Sequence, residues 1–136
     1  MSHHVTHASV SAWLAAYLHA WETYDPKDIE ALFTEDAEYR FHPTGDPVVG
    51  REAIVDSWVN PGGNASGRDK AGTYSGEYEP FVGAGNRAVA TGVSTYWTDA
   101  SRTTVERLYY NCWLLEFADD GRCSSFVEYY MKPHGN

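Results

Sequence analysis

The stretch "YYNCWLLEFADDGRCSSFVEYYMKP", residues 109–133, predicts a long β-hairpin. Its central "ADDGR" is a strong turn signal between two runs of apolar and aromatic residues. A turn centred there places Glu128 opposite Trp113, and since side chains alternate between the faces of a strand, Glu128 shares a face with Phe126 and Tyr130. A carboxyl group in the middle of this apolar strand is the feature on which the functional interpretation depends.

The same register decides how the two cysteines are placed. Cys112 is expected to face Tyr129 and Cys123 to face Ala118, which puts the cysteines several strand positions apart, about 20 Å. A disulfide requires Cα atoms within about 7 Å of each other. We therefore expect two free thiols, as in a protein from a reducing compartment.

The residues before the hairpin divide into helical and strand patterns. Apolar residues recur at helical spacing in residues 9–24, for which Ser9 or Ser11 is the expected N-cap. The predicted elements are that helix, a short helix within 25–33 opened by Asp25 and Pro26, a strand within 34–43, a helix over 51–59, a Gly-rich loop over 60–72, and strands over 73–82, 87–97, 104–117 and 123–132.

Helices first and long antiparallel strands afterwards predict the α+β class, with the helices on one face of a curved sheet. A chain of 136 residues fits one domain with a single core. We expect this domain over 9–133, with flexible ends at 1–8 and 134–136. The N-terminal "HHVTH" (3–7) is interpreted as a frayed, solvated terminus, with weak metal binding as the alternative.

Composition narrows the class of partner. The net charge is −9, and no Lys/Arg stripe is present to neutralise phosphates, which argues against nucleic acid and anionic membranes. No apolar run approaches the roughly 18 residues of a membrane span and no signal peptide is recognisable, so the expectation is a soluble, cytoplasmic protein. An aromatic content of 15% predicts that some rings line a pocket or an oligomer interface.

Two segments resemble a known family. "DIEALFTEDAEYRFHPTGDPVVGREAIVDSW" (28–58) resembles the region from the second to the third helix in the SnoaL-like branch of the NTF2-like superfamily, and residues 109–133 resemble its terminal hairpin. The resemblance implies a cone-shaped α+β barrel with an apolar pocket, commonly a homodimer joined through the outer face of the sheet. It leaves the chemistry open, because this fold serves isomerases, dehydratases, epoxide hydrolases, polyketide cyclases and non-catalytic domains.

The catalytic patterns of two branches can be compared with this chain. Tyr17 matches the first-helix tyrosine of relatives of the ketosteroid isomerase type, but the positions of their two carboxylates correspond to about Phe41 and to Trp113. Relatives of limonene-epoxide hydrolase carry an Arg with an Asp two positions later, whereas Arg107 is followed at that distance by Tyr109. The resemblance therefore implies neither of these two catalytic mechanisms.

The candidate catalytic residues are Glu128, His42 and Tyr17. The resemblance places position 113 in the pocket, so that Glu128, opposite to it, points there as well. A carboxyl in apolar surroundings titrates nearer neutrality, which suits a general acid or base; Glu128 or His42 is predicted in that role, and Tyr17 as a hydrogen-bond donor to a substrate oxygen. The alternatives are a structural Glu128 held by Tyr and Asn side chains, and a solvated His42.

Aromatic and amide side chains are expected to contact the ligand. The predicted contacts are Trp13, Tyr39, Phe41, Trp58, Trp97, Tyr109, Asn111, Trp113 and Tyr130. Core packing is the alternative for the helical tryptophans. Arg107 would share the pocket face, where it either pairs with Glu128 or lies in solvent.

The opposite face of the hairpin predicts self-association. Its apolar side chains have nothing else in the chain to cover them, so we expect a homodimer through this face. These residues are Leu108, Tyr110, Cys112, Leu114, Val127, Tyr129 and Met131.

The functional hypothesis is binding of a small, largely apolar organic molecule, with cofactor-free acid–base chemistry if the protein is an enzyme; the alternatives are a non-catalytic binding module and a protein-docking domain. No phosphate loop, metal-ligand spacing or nucleophile elbow is present, so no cofactor is expected.

Overall fold

The computed structural model describes residues 4–60 and 72–135 of the chain. Three helices and six strands make up this part, with most of the predicted 60–72 loop and the extreme ends, 1–3 and 136, outside the described residues. The elements are α1 (His7–Thr23), α2 (Pro26–Glu30), β1 (Phe33–Arg40), β2 (Val48–Val49), α3 (Arg51–Val59), β3 (Tyr74–Ala84), β4 (Arg87–Trp97), β5 (Val105–Phe117) and β6 (Cys123–Met131).

All six strands belong to one mixed sheet in the order β2-β1-β6-β5-β4-β3. β1 runs parallel to β6, and every other neighbouring pair is antiparallel. The predicted α+β fold is confirmed, with the difference that the sheet does not close into a barrel and leaves β2 and β3 at its two edges. In the described residues no helix is long and apolar enough to cross a membrane.

Local hydrogen bonds decide where the first two helices begin. Thr6, not Ser9 or Ser11, is the N-cap of α1: its hydroxyl accepts from the Ser9 N–H at 3.0 Å, and the Ser9 hydroxyl accepts from the Thr6 N–H at 2.9 Å. The helix therefore begins two residues earlier than predicted. Asp25 caps α2 as predicted, accepting from the Lys27 N–H at 3.0 Å.

The hairpin has the predicted register over most of its length. Trp113 lies opposite Glu128, and Asn111 lies opposite Tyr130. At the closed end the prediction was wrong by one residue: Cys123 faces Phe117 rather than Ala118, because the pairing is irregular between Glu116 and Phe117. Both cysteines are free thiols.

Aromatic rings fill the space between the helices and the inner face of the sheet. We call this set the aromatic core; it consists of Trp13, Tyr17, Phe33, Tyr39, Trp58, Trp113 and Phe126, all at most 7% exposed. Phe126 stacks on Tyr39 at 4.4 Å and on Tyr17 at 5.2 Å between ring centroids. The hydroxyl groups of Tyr17 and Tyr39 hydrogen-bond to each other at 2.7 Å, which satisfies both without water.

Candidate functional site

A cavity of about 420 Å³ lies on the inner face of the sheet, beyond the aromatic core and next to the end of β1. We call it the rim cavity. β5 and β6 supply half of its lining residues, and the others come from β4 and from the residues that directly follow β1 and β6. The lining residues are Phe41, His42, Tyr96, Tyr109, Asn111, Glu128, Tyr130 and Lys132.

Glu128 lies at the boundary between the aromatic core and the rim cavity. The strand register puts it directly opposite the fully buried Trp113, while the neighbouring inner-face residue of β6, Tyr130, is exposed. Burial raises the pKa of the Glu128 carboxyl to about 7, and the nearby Trp113 Nε1–H, which does not reach full hydrogen-bond geometry, opposes this rise. The carboxyl is therefore divided between its protonated and ionised forms near neutral pH.

Asn111 is the second polar group of the cavity, and its amide nitrogen is already engaged. Nδ2 donates to the Tyr78 hydroxyl at 2.7 Å and lies 3.4 Å from the Ser94 hydroxyl. The Ser94 oxygen in turn lies 2.6 Å from the Tyr78 hydroxyl and 2.9 Å from that of Tyr74. Although Asn111 is only 7% exposed, its Oδ1 has no hydrogen-bond partner in the described part of the chain. The amide is therefore held from one side and presents an unused acceptor.

Aromatic rings form the wall and mouth of the rim cavity. The Tyr130 ring meets the His42 ring at 5.2 Å and the Tyr109 ring at 5.7 Å, both edge to face. His42, Tyr130 and Lys132 are exposed, whereas Tyr109 and Phe41 are partly buried. A small molecule entering here would meet apolar ring faces first and the Glu128 and Asn111 side chains at the floor.

Comparison with protein-family models identifies the family of this chain. The model of the SnoaL-like domain matches residues 14–126. The chain belongs to the SnoaL-like family. This SnoaL-like chain matches none of the curated protein sequences with which it was compared.

Solved structures similar to this SnoaL-like domain are NTF2-like proteins with distant sequences. An NTF-2-like protein of unknown function from Burkholderia xenovorans LB400 is 18% identical, with a TM-score of 0.66 over 95% of this chain and 88% of that one. A candidate ketosteroid isomerase from Kribbella flavida DSM 17836 is 15% identical, with a TM-score of 0.64 over 95% and 82%. An LEH-like epoxide hydrolase from M. tuberculosis is 17% identical, with a TM-score of 0.60 over 91% and 84%. At these identities the likeness shows the fold alone.

The SnoaL-like domain brings six of the predicted site residues together and leaves the others elsewhere. Phe41, His42, Tyr109, Asn111, Glu128 and Tyr130 all line the rim cavity. Trp97 instead ends β4 and donates from Nε1 to the Ser75 hydroxyl at 2.9 Å. Arg107 forms an ion pair with Glu106 at 2.9 Å, and its guanidinium lies 4.2 Å from the centre of the Tyr96 ring.

The remaining predicted residues belong to the aromatic core and not to the rim cavity. Trp13, Tyr17, Tyr39, Trp58 and Trp113 pack against one another or against Phe126. Tyr17 is 2% exposed and its hydroxyl is bonded to Tyr39, so it does not face a ligand in this arrangement. The donor role of Tyr17 stays a prediction, and this arrangement does not support it, because aromatic rings fill the space beneath the helices.

Four residues of the site region escaped the sequence analysis. Tyr96 and Lys132 line the rim cavity, and Tyr78 and Ser94 hold Asn111. A register for β4 would have revealed Ser94 and Tyr96, since they lie opposite Tyr109 and Arg107 on the inner face. No sequence signal indicated Tyr78, whose ring reaches across a neighbouring strand. Among the described residues, no three His, Cys, Asp or Glu side chains lie together as a metal site would require.

Proposed function

We propose that this SnoaL-like protein binds a small organic molecule with a largely apolar body in the rim cavity, and that Glu128 exchanges a proton with it. The observation that carries the proposal is the half-buried Glu128 carboxyl, whose pKa desolvation raises to about 7 at the floor of an aromatic cavity. A group with a pKa near the working pH combines a large reactive fraction with a strong driving force for proton transfer. A net charge of −9 supports a small-molecule ligand over a nucleic acid.

The chemistry follows from the two states of one carboxyl. Ionised Glu128 removes a proton from a bound molecule, and the resulting carboxylic acid returns it to another atom of the same molecule, as an isomerisation or an elimination requires. Partial burial beside the aromatic core desolvates the carboxylate and makes it more basic. Asn111 would orient the ligand through its unused oxygen, and His42 at the mouth would serve as a second proton carrier.

A generic proton-abstraction substrate tests this proposal without knowledge of the natural one. 5-Nitrobenzisoxazole is small and aromatic; removal of its C3 proton breaks the N–O bond and releases a coloured cyanonitrophenolate. We expect turnover that rises with pH and levels off above about pH 7, as Glu128 ionises. Glu128→Gln should lower kcat/KM at least tenfold, because the amide cannot accept the proton; absorbance kinetics measure both effects.

Glu79→Gln is the matched control, since Glu79 is exposed on β3 and does not line the rim cavity. It should leave the rate unchanged. Turnover by the wild type that is no faster than that of Glu128→Gln at any pH, with both variants folded by circular dichroism, would refute proton transfer by Glu128.

We also propose that the protein is a homodimer joined through the outer face of the sheet. The support is a group of apolar side chains on β5 and β6 that are exposed although they lie in the middle of the sheet. Tyr110 is 50% exposed, Leu114 39%, Tyr129 46% and Met131 68%. A two-fold contact would bury the same patch on both copies.

Tyr129→Glu should convert this dimer to a monomer, because a charge in the centre of the patch would be desolvated without a partner. Multi-angle light scattering should give twice the 15.2 kDa chain mass for the wild type and once that mass for the variant. Val49→Glu is the control, since Val49 is 61% exposed on the edge strand β2. A wild-type monomer at micromolar concentration would contradict the proposed assembly.

A further inference from the structure

We propose that the ligand of the rim cavity is an organic cation, a protonated amine carried on an aromatic or alkyl body. The inference rests on the proposed function only in taking this cavity as the binding site, and it is independent of proton transfer. It follows from what the floor and walls of the cavity offer: negative charge, a hydrogen-bond acceptor and ring faces.

Among the described residues, Glu128 has no cationic partner and Asn111 Oδ1 has no hydrogen-bond donor; the uncharged Trp113 Nε1–H is the donor that lies near Glu128. In the described part of the chain no cationic side chain forms an ion pair with Glu128. The buried Oδ1 of Asn111 has no donor either, although Nδ2 of the same amide is fixed by Tyr78 and Ser94. An unsatisfied buried acceptor destabilises the fold, and a donor from a ligand would remove this penalty. One ammonium group carries both the positive charge that Glu128 lacks and the N–H donor that Asn111 Oδ1 lacks.

Glu128 and Asn111 are close enough to share such a group. Asn111 lies opposite Tyr130, two positions along β6 from Glu128, so the two side chains are diagonal neighbours on one face. Diagonal Cβ atoms of an antiparallel pair are within about 7–8 Å, a gap that one nitrogen with two hydrogen bonds spans.

The walls suit a cation as well as an apolar body. Tyr109 and Tyr130 meet edge to face at 5.7 Å, and Phe41 and His42 line the same cavity. The faces of aromatic rings attract ammonium and guanidinium groups, and this attraction is stronger where water is excluded. A cation–π contact of this kind is present beside the cavity, where the Arg107 guanidinium lies 4.2 Å from the centre of the Tyr96 ring.

Several charged or titratable groups surround Glu128, and they differ in how strongly they oppose a cation. Lys132 and His42 are exposed at the mouth, where solvent and salt screen them. Arg107 is paired with Glu106. The nearby tyrosines on α1, β1 and β3 are Tyr17, Tyr39, Tyr74 and Tyr78; burial raises the pKa of each, so all four are neutral at ordinary pH. The uncompensated charge at the floor is therefore negative once Glu128 ionises.

Three probes of one size test the proposal on the full-length protein: 2-phenylethylammonium, the neutral 2-phenylethanol, and phenyltrimethylammonium, a cation without N–H groups. Isothermal titration calorimetry at about pH 5.5 and pH 8 gives the affinities. At pH 8 we expect the ammonium probe to bind at least tenfold more tightly than the alcohol. That preference should shrink at pH 5.5, where Glu128 is protonated.

Variants assign the effect to individual side chains. Glu128→Gln should remove the preference for the ammonium probe and its pH dependence, while binding of the alcohol stays within about twofold. Asn111→Ala should weaken the ammonium probe but not phenyltrimethylammonium, which cannot donate to Oδ1. His42→Gln should leave the pH dependence in place. Should Asn111→Ala fail to fold, Glu128→Gln decides alone, because it preserves the shape of the side chain.

Equal or tighter binding of the alcohol at pH 8 would overturn the cation proposal while leaving the rim cavity as a binding site. Loss of the pH dependence in His42→Gln instead of Glu128→Gln would also overturn it. Failure of proton transfer appears separately, as absent turnover of 5-nitrobenzisoxazole, and does not bear on the amine preference.

Discussion

Replacing Glu128 by glutamine should make the folded protein more stable by about 3 kcal/mol at pH 8 and leave its stability nearly unchanged at pH 4.5. The reason is the pKa of this carboxyl, which burial raises from 4.5 in the unfolded chain to about 7 in the folded one. A pKa difference of one between the folded and unfolded states corresponds to about 1.4 kcal/mol. Ionised Glu128 therefore destabilises the fold by about 3 kcal/mol.

The direction of the pH effect follows from proton binding. Between about pH 4.5 and pH 7 the folded state keeps the Glu128 proton while the unfolded state loses it, so the free energy of unfolding falls as the pH rises through this interval. Below it both states are protonated and above it both are ionised, which makes the contribution constant on either side. Glutamine is neutral at every pH, so the variant does not undergo this fall in the free energy of unfolding.

Urea unfolding followed by tryptophan fluorescence at several pH values measures the difference between variant and wild type, in which other titrating groups cancel. Glu79→Gln, at an exposed carboxyl on β3, should change the free energy of unfolding by less than about 0.5 kcal/mol at every pH. A gain for Glu128→Gln that is the same at pH 4.5 and pH 8 would show that Glu128 is not buried as a titrating group. A loss at both would identify it as a structural hydrogen-bonding residue.

Gly92→Ala should destabilise the protein by about 3 kcal/mol or more. Gly92 lies on β4 between Tyr78 of β3 and Asn111 of β5. The Tyr78 ring crosses the β4 backbone at this point and stacks on Trp113 at 3.8 Å between centroids. A Cβ at position 92 would lie 2.1 Å from the Glu77 carbonyl oxygen and 2.4 Å from the Tyr78 ring, so backbone as well as side chain would have to move.

Gly76→Ala is an informative control for this prediction. Gly76 is also in the sheet, on β3, but a Cβ there would meet only side chains: Leu18 at 2.5 Å, the Tyr74 hydroxyl at 2.9 Å and the Tyr78 ring at 3.3 Å. Flexible side-chain ends can shift, so we expect a cost of about 1–2 kcal/mol. The comparison uses the same urea titration. Equal costs for the two variants would contradict the interpretation that the backbone contact at Gly92 is decisive.

Both predictions concern one region, in which residues that lower the stability of the fold border a polar site. Gly92 admits the Tyr78 ring, whose hydroxyl holds the Asn111 amide beside the rim cavity. Glu128, at the floor of that cavity, is ionised at a cost above pH 7. A site that binds or transfers charge gives such residues a physical reason to be present.

Much of the fold followed from local patterns. Asp120-Gly121 and the alternating residues around it predicted that Trp113 faces Glu128, because turn chemistry and the period of a strand together set the register. Asp25 and Pro26 predicted the start of α2 for an equally local reason, a side chain that accepts from a nearby N–H. The N-cap of α1 was misplaced because Thr6, Ser9 and Ser11 are all competent caps, and only the reciprocal bonds of Thr6 with Ser9 select one.

The residues of the candidate site could be predicted from the sequence only in part. From the sequence alone it could be determined that Glu128 shares one face of the hairpin with Asn111 and Tyr130, since alternation along a strand requires no knowledge of what packs on it; that this is the inner face was implied by the family resemblance. Only the tertiary structure decided which aromatic residues became core and which became wall. Tyr17 and Tyr39 satisfy each other beneath α1, whereas Tyr109 and Tyr130 border the rim cavity. That outcome depends on how helices, strands and rings from distant parts of the chain fill one volume, and no local periodicity encodes it.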